Sequence, residues 1–252
     1  MIVDTCIVSS NLNPFYYDFY PTVRKVWKEL CNVRCILLLI ADHIPESLQP
    51  YQEDIILFHP IPDTSDILVS QIIRILYAGL LQTNNAVITS DVDILPLSHK
   101  YFIENVKNVD ENKFVNYRFD TDSGGQLLMC YNAAPTKIWQ EIFGCYTIED
   151  VKSKVIEYDK LAKSYKDSHM HGDGWFTDQV VLTEKVMEKI SENPNIVFKV
   201  TDSMTNFRRL DRHDTPNIRD LVNGQYADYH MPRPYATFQK QINSIVSNLL
   251  SQ

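Results

Sequence analysis

The chain lacks an excess of positive charge. Its 252 residues carry 24 Lys and Arg side chains against 32 Asp and Glu, which gives a formal net charge of −8. Proteins that bind nucleic acids neutralise phosphates with a broad basic surface, and this balance argues against such a surface here. We therefore expect no nucleic-acid partner, whereas a small anionic ligand held through a bound cation stays compatible with the composition.

The chain also lacks the marks of secreted, zinc-binding and membrane proteins. Its five cysteines are an odd number without close pairs, which favours reduced thiols over a disulfide framework or a zinc site. The longest apolar run, residues 35–41, is far shorter than the ~20 residues that cross a bilayer. Residues 1–10 do not resemble a signal peptide. We therefore expect a cytoplasmic protein with no transmembrane segment.

No internal repeat, low-complexity tract or Pro/Gly/Ser-rich linker divides the chain. The composition, 44% hydrophobic and 22% charged, is ordinary for a globular protein and sufficient for a sizeable core. These features predict one domain over residues 1–252.

Apolar segments alternate with stretches of helical periodicity. Short apolar segments predict strands at residues 2–8, 36–41, 55–58, 86–89, 114–117, 126–131 and 196–200. Apolar residues at helical spacing predict helices around residues 23–30, 67–80, 138–143, 148–165, 178–190 and 238–250. This alternation is typical of an α/β fold with a mixed, mostly parallel sheet flanked by helices, in which ligands bind beyond the carboxyl ends of the strands.

Two aspartates, Asp91 and Asp93, directly follow the predicted strand at residues 86–89. Carboxylates this close repel each other unless they share a cation. Their hard oxygen atoms suit Mn²⁺ or Mg²⁺, which also binds the phosphates of a nucleotide diphosphate. The alternative is a solvated loop with two acidic residues, which the apolar residues on both sides argue against.

This pattern resembles the GT-A fold glycosyltransferases, in which a buried strand ends in Asp-x-Asp and a preceding helix carries an arginine, here Arg74. The resemblance implies a nucleotide-binding half at residues 1–95 and an acceptor-binding half at residues 96–252. It also implies a set of residues that contact the nucleotide-sugar donor. That set is Thr5, Ile7, Ser9, Asp42, Arg74, Asp91, Val92 and Asp93.

Two later segments extend the resemblance. The segment 172–179 contains Asp173 and Asp178, which would match a carboxylate that meets the acceptor or the sugar; Asp178 has the alternative of a helix N-terminal residue. The segment 228–234 contains His230, which would match a third metal ligand beside Asp91 and Asp93, although a single histidine can also be structural. Trp175 would stack on an acceptor sugar or pack in the core.

The resemblance implies a metal-dependent transfer of sugar from a donor linked to UDP or GDP to a hydroxyl of a glycan or other acceptor. Asp178 or Asp173 would be the general base of an inverting enzyme, and the stereochemistry stays open. Three alternatives remain: a metal-dependent nucleotidyltransferase, a phosphatase of the haloacid dehalogenase type and a non-catalytic sugar-binding module. A nucleotidyltransferase is expected to have an early Gly-rich phosphate loop, which is missing here. A phosphatase of the haloacid dehalogenase type normally carries its nucleophilic Asp on the first strand, whereas the pair here is in mid-chain.

Overall fold

The structure is a computed structural model that describes residues 1–119, 125–164, 174–200 and 205–251. The strands are β1 (Val3–Asn11), β2 (Arg34–Ile40), β3 (Ile55–Phe58), β4 (Ala86–Thr89), β5 (Ile94–Pro96), β6 (Phe114–Tyr117), β7 (Asn132–Pro135), β8 (Val197–Val200), β9 (Arg208–Leu210) and β10 (Tyr226–His230). The α-helices are α1 (Pro14–Tyr17), α2 (Tyr20–Cys31), α3 (Asp66–Tyr77), α4 (Thr136–Phe143), α5 (Ile148–Ser164), α6 (Thr177–Glu192), α7 (Ile218–Val222) and α8 (Tyr235–Leu250). Short 3₁₀ segments span Glu46–Asp54 and Ala78–Leu80, and a π-helical turn spans Lys100–Glu104.

Within the described residues, seven strands form the main sheet in the order β3-β2-β1-β4-β7-β6-β8. All neighbouring pairs are parallel except β7, which runs antiparallel to both β4 and β6. In β2 every residue after Arg34 is buried, as expected of a central strand covered on both faces. The predicted mixed, mostly parallel sheet flanked by helices is confirmed.

The two faces of this sheet carry separate apolar clusters. One includes Trp27 of α2 and Phe102, and the other includes Ile72 of α3 and Trp139 of α4. The Trp139 indole also donates a hydrogen bond to the Val87 carbonyl oxygen at 3.1 Å, so that α4 is fixed to β4. Helices on both faces leave the carboxyl ends of β1 and β4 as the accessible edge for a ligand.

A second, small sheet in the order β5-β10-β9 lies beside this edge. β5 begins directly after Asp93, and β10 ends at His230. The antiparallel register of β5 and β10 places His230 opposite Ile94, and the Met231 N–H donates to the Asp93 carbonyl oxygen at 2.9 Å. This sheet therefore brings two of the three predicted metal ligands, Asp93 and His230, together through backbone pairing.

Two strand predictions need correction. Residues 126–131 do not form a strand, because the Leu127 N–H donates to the Thr183 hydroxyl of α6 at 2.9 Å and the strand begins only at Asn132. The first strand extends to Asn11, three residues beyond its predicted end at position 8. The ligand-facing end of β1 therefore lies later in the chain than the sequence indicated.

All five cysteines are buried and free. In the part of the chain that the structure describes, we find no helix with the length and apolar content needed to span a bilayer.

Candidate functional site

A cavity of about 450 Å³ opens at the carboxyl ends of β1 and β4. Its volume does not distinguish it, since other surface cavities measure about 440 to 540 Å³. Its position and its lining distinguish it from the other cavities, because charged side chains from distant parts of the chain lie within a few ångströms of one another there. The lining residues are Ser9, Ser10, Asn11, Asn13, Tyr16, Ile67, Ser70, Gln71, Arg74, Asp91, Val92, Asp93, Met129, Trp175, Phe176, Asp178, Gln179, Arg212, His230 and Arg233.

Arg74 of α3 connects the strand end to α6. Its guanidinium is buried, with Nη1 2.5 Å from Asp91 Oδ1 and Nη2 3.4 Å from Asp178 Oδ2. Nη1 also donates to the Ser90 carbonyl oxygen at 3.4 Å. One arginine therefore faces two carboxylates, so that the group carries an excess of negative charge when both are ionised.

Asp178 responds to this imbalance. Burial raises the pKa of Asp178 to about 6, although the Arg74 guanidinium works in the opposite direction; the Asp91 carboxylate adds to the rise. The Gln179 backbone N–H donates to Asp178 Oδ1 at 2.8 Å and fixes the carboxyl group in the first turn of α6. A carboxyl group with a pKa near neutrality suits proton transfer at physiological pH.

Asp93 lies in a second, cationic group. Its Oδ2 atom is 3.1 Å from Arg212 Nη2, 3.4 Å from His230 Nε2 and 3.7 Å from Arg233 Nε. Burial raises the pKa of Asp93, but its neighbours, among them the permanently charged Arg212 and Arg233 guanidinium groups, hold that pKa below its ordinary value. Asp93 is therefore a carboxylate at neutral pH.

The contacts of His230 with Arg212 and Asp211 indicate its tautomer. Arg212 donates from Nε to His230 Nε2 at 3.2 Å, and a guanidinium can only donate. The other ring nitrogen, Nδ1, lies 3.2 Å from Asp211 Oδ1. This arrangement places the proton on Nδ1 and a lone pair on Nε2, which is the form in which a histidine binds a metal while a carboxylate orients the ring.

The predicted donor-contact residues divide into two sets. Ser9, Arg74, Asp91, Val92 and Asp93 line the cavity, together with Asp178 and His230 from the later segments. Asp173 lies outside the described residues.

Thr5, Ile7 and Asp42 do not line the cavity, so the structure does not bring them together with the other predicted donor-contact residues. Ile7 is fully buried in the core, and Thr5 donates to the neighbouring Asp4 carboxylate at 2.8 Å. Both precede the end of β1 by several residues. Asp42 has an 82% exposed side chain that faces His59 at 3.4 Å.

The predicted metal-ligand set is only partly assembled. Asp93 and His230 face each other, with chemistry that suits a divalent cation, whereas the Asp91 carboxylate contacts Arg74. Among the described residues no group of three or more His, Cys, Asp or Glu side chains is arranged around a common point. The Arg212 guanidinium occupies the space between Asp93 and His230, so a bound cation and Arg212 are alternative occupants.

Sequence reasoning did not identify Arg212, Arg233, Gln179 and Tyr16. A signal existed for Arg233, which follows His230 by three residues in the segment already singled out. Its guanidinium lies 4.8 Å from the centre of the Tyr16 ring, and it donates a hydrogen bond to the Tyr16 hydroxyl. No signal marked Arg212, because its partners are 119 and 18 residues away along the chain.

Neither a protein-family model nor a curated protein matches this sequence. Solved structures do resemble it. The galactosyltransferase LgtC, determined in complex with donor and acceptor sugar analogues, has a TM-score of 0.50 and 14% identity, over 96% of this chain and 95% of LgtC. A glycosyltransferase involved in glycosylation of the major capsid of PBCV-1 has a TM-score of 0.50 and 9% identity, over 95% of this chain and 99% of that protein.

The bifunctional glycosyltransferase WbbM has a TM-score of 0.51 and 10% identity over 98% of this chain, which spans 50% of the WbbM chain. At such low identities the likeness establishes the fold. The chain has the GT-A fold found in these glycosyltransferases.

Proposed function

We propose that this protein transfers a sugar from a nucleotide-diphosphate sugar to an acceptor hydroxyl, with the reaction taking place in the cavity at the ends of β1 and β4. The fold supports sugar transfer in general, because its structural neighbours are glycosyltransferases.

One observation carries the proposal: two charged groups, Asp91–Arg74–Asp178 and Asp93–His230–Arg212, face the same cavity. Neutralising a leaving diphosphate requires positive charge, which Arg212 and Arg233 place beside Asp93. A general base requires a carboxyl group close by, and Asp178, which contacts the Nη2 atom of Arg74, lines the same cavity. Both requirements are met within one cavity.

The nucleoside would bind at the end of β1, where polar side chains and Tyr16 line the cavity. Asn11 and Asn13 offer amide donors and acceptors there, and the Tyr16 ring offers a flat surface for a base. The diphosphate would then extend toward Arg212 and Arg233, and the donor sugar toward Asp178.

We further propose that Asp91, Asp93 and His230 hold Mn²⁺ or Mg²⁺. When bound, such an ion supplies positive charge that stabilises the departing diphosphate. Asp211 would keep His230 in the tautomer that offers its Nε2 lone pair. The third ligand requires the Asp91 carboxylate to leave Arg74, whose guanidinium keeps its contact with Asp178.

In the transfer step, the acceptor oxygen bonds to the anomeric carbon of the donor as the bond from that carbon to the diphosphate oxygen breaks. For an inverting reaction we assign the acceptor proton to Asp178, whose pKa near 6 lets it receive a proton at neutral pH. The acceptor itself would be a glycan hydroxyl. Trp175 and Phe176 line the cavity beside Asp178 and offer an aromatic surface for it.

The test is donor hydrolysis, because many transferases slowly pass the sugar to water. The protein is incubated with UDP- and GDP-linked sugars and Mn²⁺, and the release of free nucleotide diphosphate is measured. We expect release by the wild-type protein, none with EDTA, and none from Asp93→Ala with its far-ultraviolet circular dichroism unchanged. Asp110→Ala removes an exposed carboxylate away from the cavity and is the matched control.

Full activity of Asp93→Ala would contradict the assigned site. Stabilisation by a nucleotide sugar without turnover against any glycan acceptor would instead indicate a binding module. Release of pyrophosphate from a nucleoside triphosphate and a sugar phosphate would indicate a nucleotidyltransferase.

A further inference from the structure

We infer that Arg212 is a resident counter-cation: its guanidinium occupies the space between Asp93 and His230, and a divalent ion binds there only by displacing it. The inference rests on the proposed function, which places the ion at these residues. It adds a role for a residue that sequence reasoning did not identify.

The contacts of Arg212 are those of a cation in a ligand site. Nη2 lies 3.1 Å from Asp93 Oδ2 and also contacts His230 Nε2, while Nε donates to the same ring nitrogen at 3.2 Å. A divalent ion would bind through that carboxylate oxygen and that lone pair. The guanidinium and the ion therefore compete for the same two atoms.

Asp93 explains why a counter-cation is needed. Its side chain is only 8% exposed, and a buried carboxylate is costly without a positive partner. Arg233 is the other guanidinium near it, but its Nε atom is farther away, at 3.7 Å, and it also contacts the Tyr16 ring and hydroxyl. Arg212 is thus the main positive partner of Asp93 when no ion is bound.

The Arg212 side chain is free to leave without unfolding its loop. The turn at residues 211–214 is closed by two bonds that do not involve that side chain. The Asp214 N–H donates to the Asp211 carbonyl oxygen at 2.9 Å, and the Asp211 N–H donates to Asp214 Oδ2 at 2.7 Å. Displacement of the guanidinium therefore leaves both of these bonds of the turn in place.

The orientation of His230 supports the same exchange. Asp211 Oδ1 lies 3.2 Å from Nδ1, the ring nitrogen that does not face Arg212, so this contact can persist when the cation at Nε2 changes. The ion then meets a histidine that is already oriented. The release of Arg212 is a cost of binding, in addition to the separation of Asp91 from Arg74. If the ion binds only when Arg212 has left, its affinity falls in proportion to the fraction of molecules in which Arg212 has left.

Electron paramagnetic resonance of free Mn²⁺ tests the inference without any donor or turnover. We expect Arg212→Ala to bind Mn²⁺ about tenfold more tightly than the wild type, which corresponds to a closed state that is populated about 90% of the time. Arg208→Ala removes the same charge from β9 at a side chain that contacts Asp220 outside the cavity. This control should leave the Mn²⁺ affinity unchanged at physiological ionic strength, where screening acts over about 8 Å.

Thermal unfolding provides a second measurement. Without metal, Arg212→Ala should unfold at a lower temperature than the wild type, because Asp93 has lost its main partner. Saturating Mn²⁺ should then raise the unfolding temperature of the variant by more than that of the wild type. Arg212→Gln, which keeps hydrogen-bonding capacity without charge, provides the same comparison if the alanine variant does not fold.

An unchanged or weaker Mn²⁺ affinity in both Arg212 variants would overturn the inference, as would the absence of Mn²⁺ binding in all variants. The proposed transferase activity is judged separately by the release of nucleotide diphosphate. Release in the presence of EDTA would contradict the proposed role of the ion in the reaction, whereas the exchange with Arg212 is judged by the Mn²⁺ affinities. Tighter Mn²⁺ binding by the Arg212 variants without release from any donor would support the exchange and contradict the proposed sugar transfer.

Discussion

The Asp178→Asn variant should be more stable than the wild type at neutral pH, by an amount that shrinks as the pH falls. Burial raises the pKa of Asp178 from 3.8 to about 6. The folded state thus binds this proton more tightly than the unfolded state. The resulting stabilisation is complete below about pH 4 and is lost as the pH rises through about 6.

The magnitude follows from the size of this shift. About two pKa units, at about 1.4 kcal/mol each, make the ionised Asp178 cost the folded protein about 3 kcal/mol at neutral pH. Asparagine keeps the shape and the acceptor that faces the Gln179 N–H, but it does not titrate. Arg74 keeps its partner Asp91 in the variant, at 2.5 Å.

The assay is urea denaturation in EDTA at several pH values, with the free energy of unfolding compared between the two proteins. The wild type should lose about 2 kcal/mol relative to the variant between about pH 4 and about pH 7. Asp110→Asn, at an exposed position, should show no such trend. A difference that stays constant, or a wild type that gains on the variant as the pH rises, would mean that the ion pair with Arg74 outweighs burial and would refute the reasoning.

Further predictions concern the pH profile of activity and two positions near the site. The value of kcat/KM for donor hydrolysis should rise with pH through about 6 in the wild type if Asp178 must be ionised, and a pH-independent profile would exclude that role. Asp228→Asn should lower the free energy of unfolding by about 3 kcal/mol, because it removes the buried carboxylate that pairs with the half-buried Arg209 guanidinium; a loss below about 1 kcal/mol in urea denaturation would contradict this. Gly174→Ala should destabilise by more than about 1 kcal/mol, since φ is +74° and the added Cβ would lie 2.9 Å from the Ala162 carbonyl oxygen; an unchanged unfolding temperature would show that the backbone relaxes freely there.

Elements with uniform apolar sequence were predictable. The strands at 55–58, 86–89 and 114–117 have the predicted bounds, because short apolar runs between turn residues have few other ways to bury themselves. The segment 126–131 has the same apolar character, but its backbone bonds to α6 through Leu127 and Thr183. Periodicity alone could not distinguish these two outcomes.

β10 was not predicted as a strand. Its antiparallel partner β5 lies far from it in the sequence, so no local pattern indicates this pairing. For the same reason, its role in bringing His230 to Asp93 emerges only from the sheet. The motif did not predict that Asp91 would face Arg74 while Asp93 faces Arg212. Those choices depend on the balance of several buried charges, which a linear pattern does not contain.

The small sheet β5-β10-β9 limits which sequence changes this cavity can accept in evolution. The spacing of Asp93 and His230 is determined by main-chain bonds, including the one from Met231 to Asp93, rather than by the side chains around them. Substitutions in the lining can therefore alter which molecules are accepted without moving these two residues. A single-residue insertion in β10 would have the opposite effect, since a slip of one position turns every following side chain to the other face and would carry His230 away from its partner. We expect homologues with diverged cavity linings to tolerate length changes in their loops far better than in this strand.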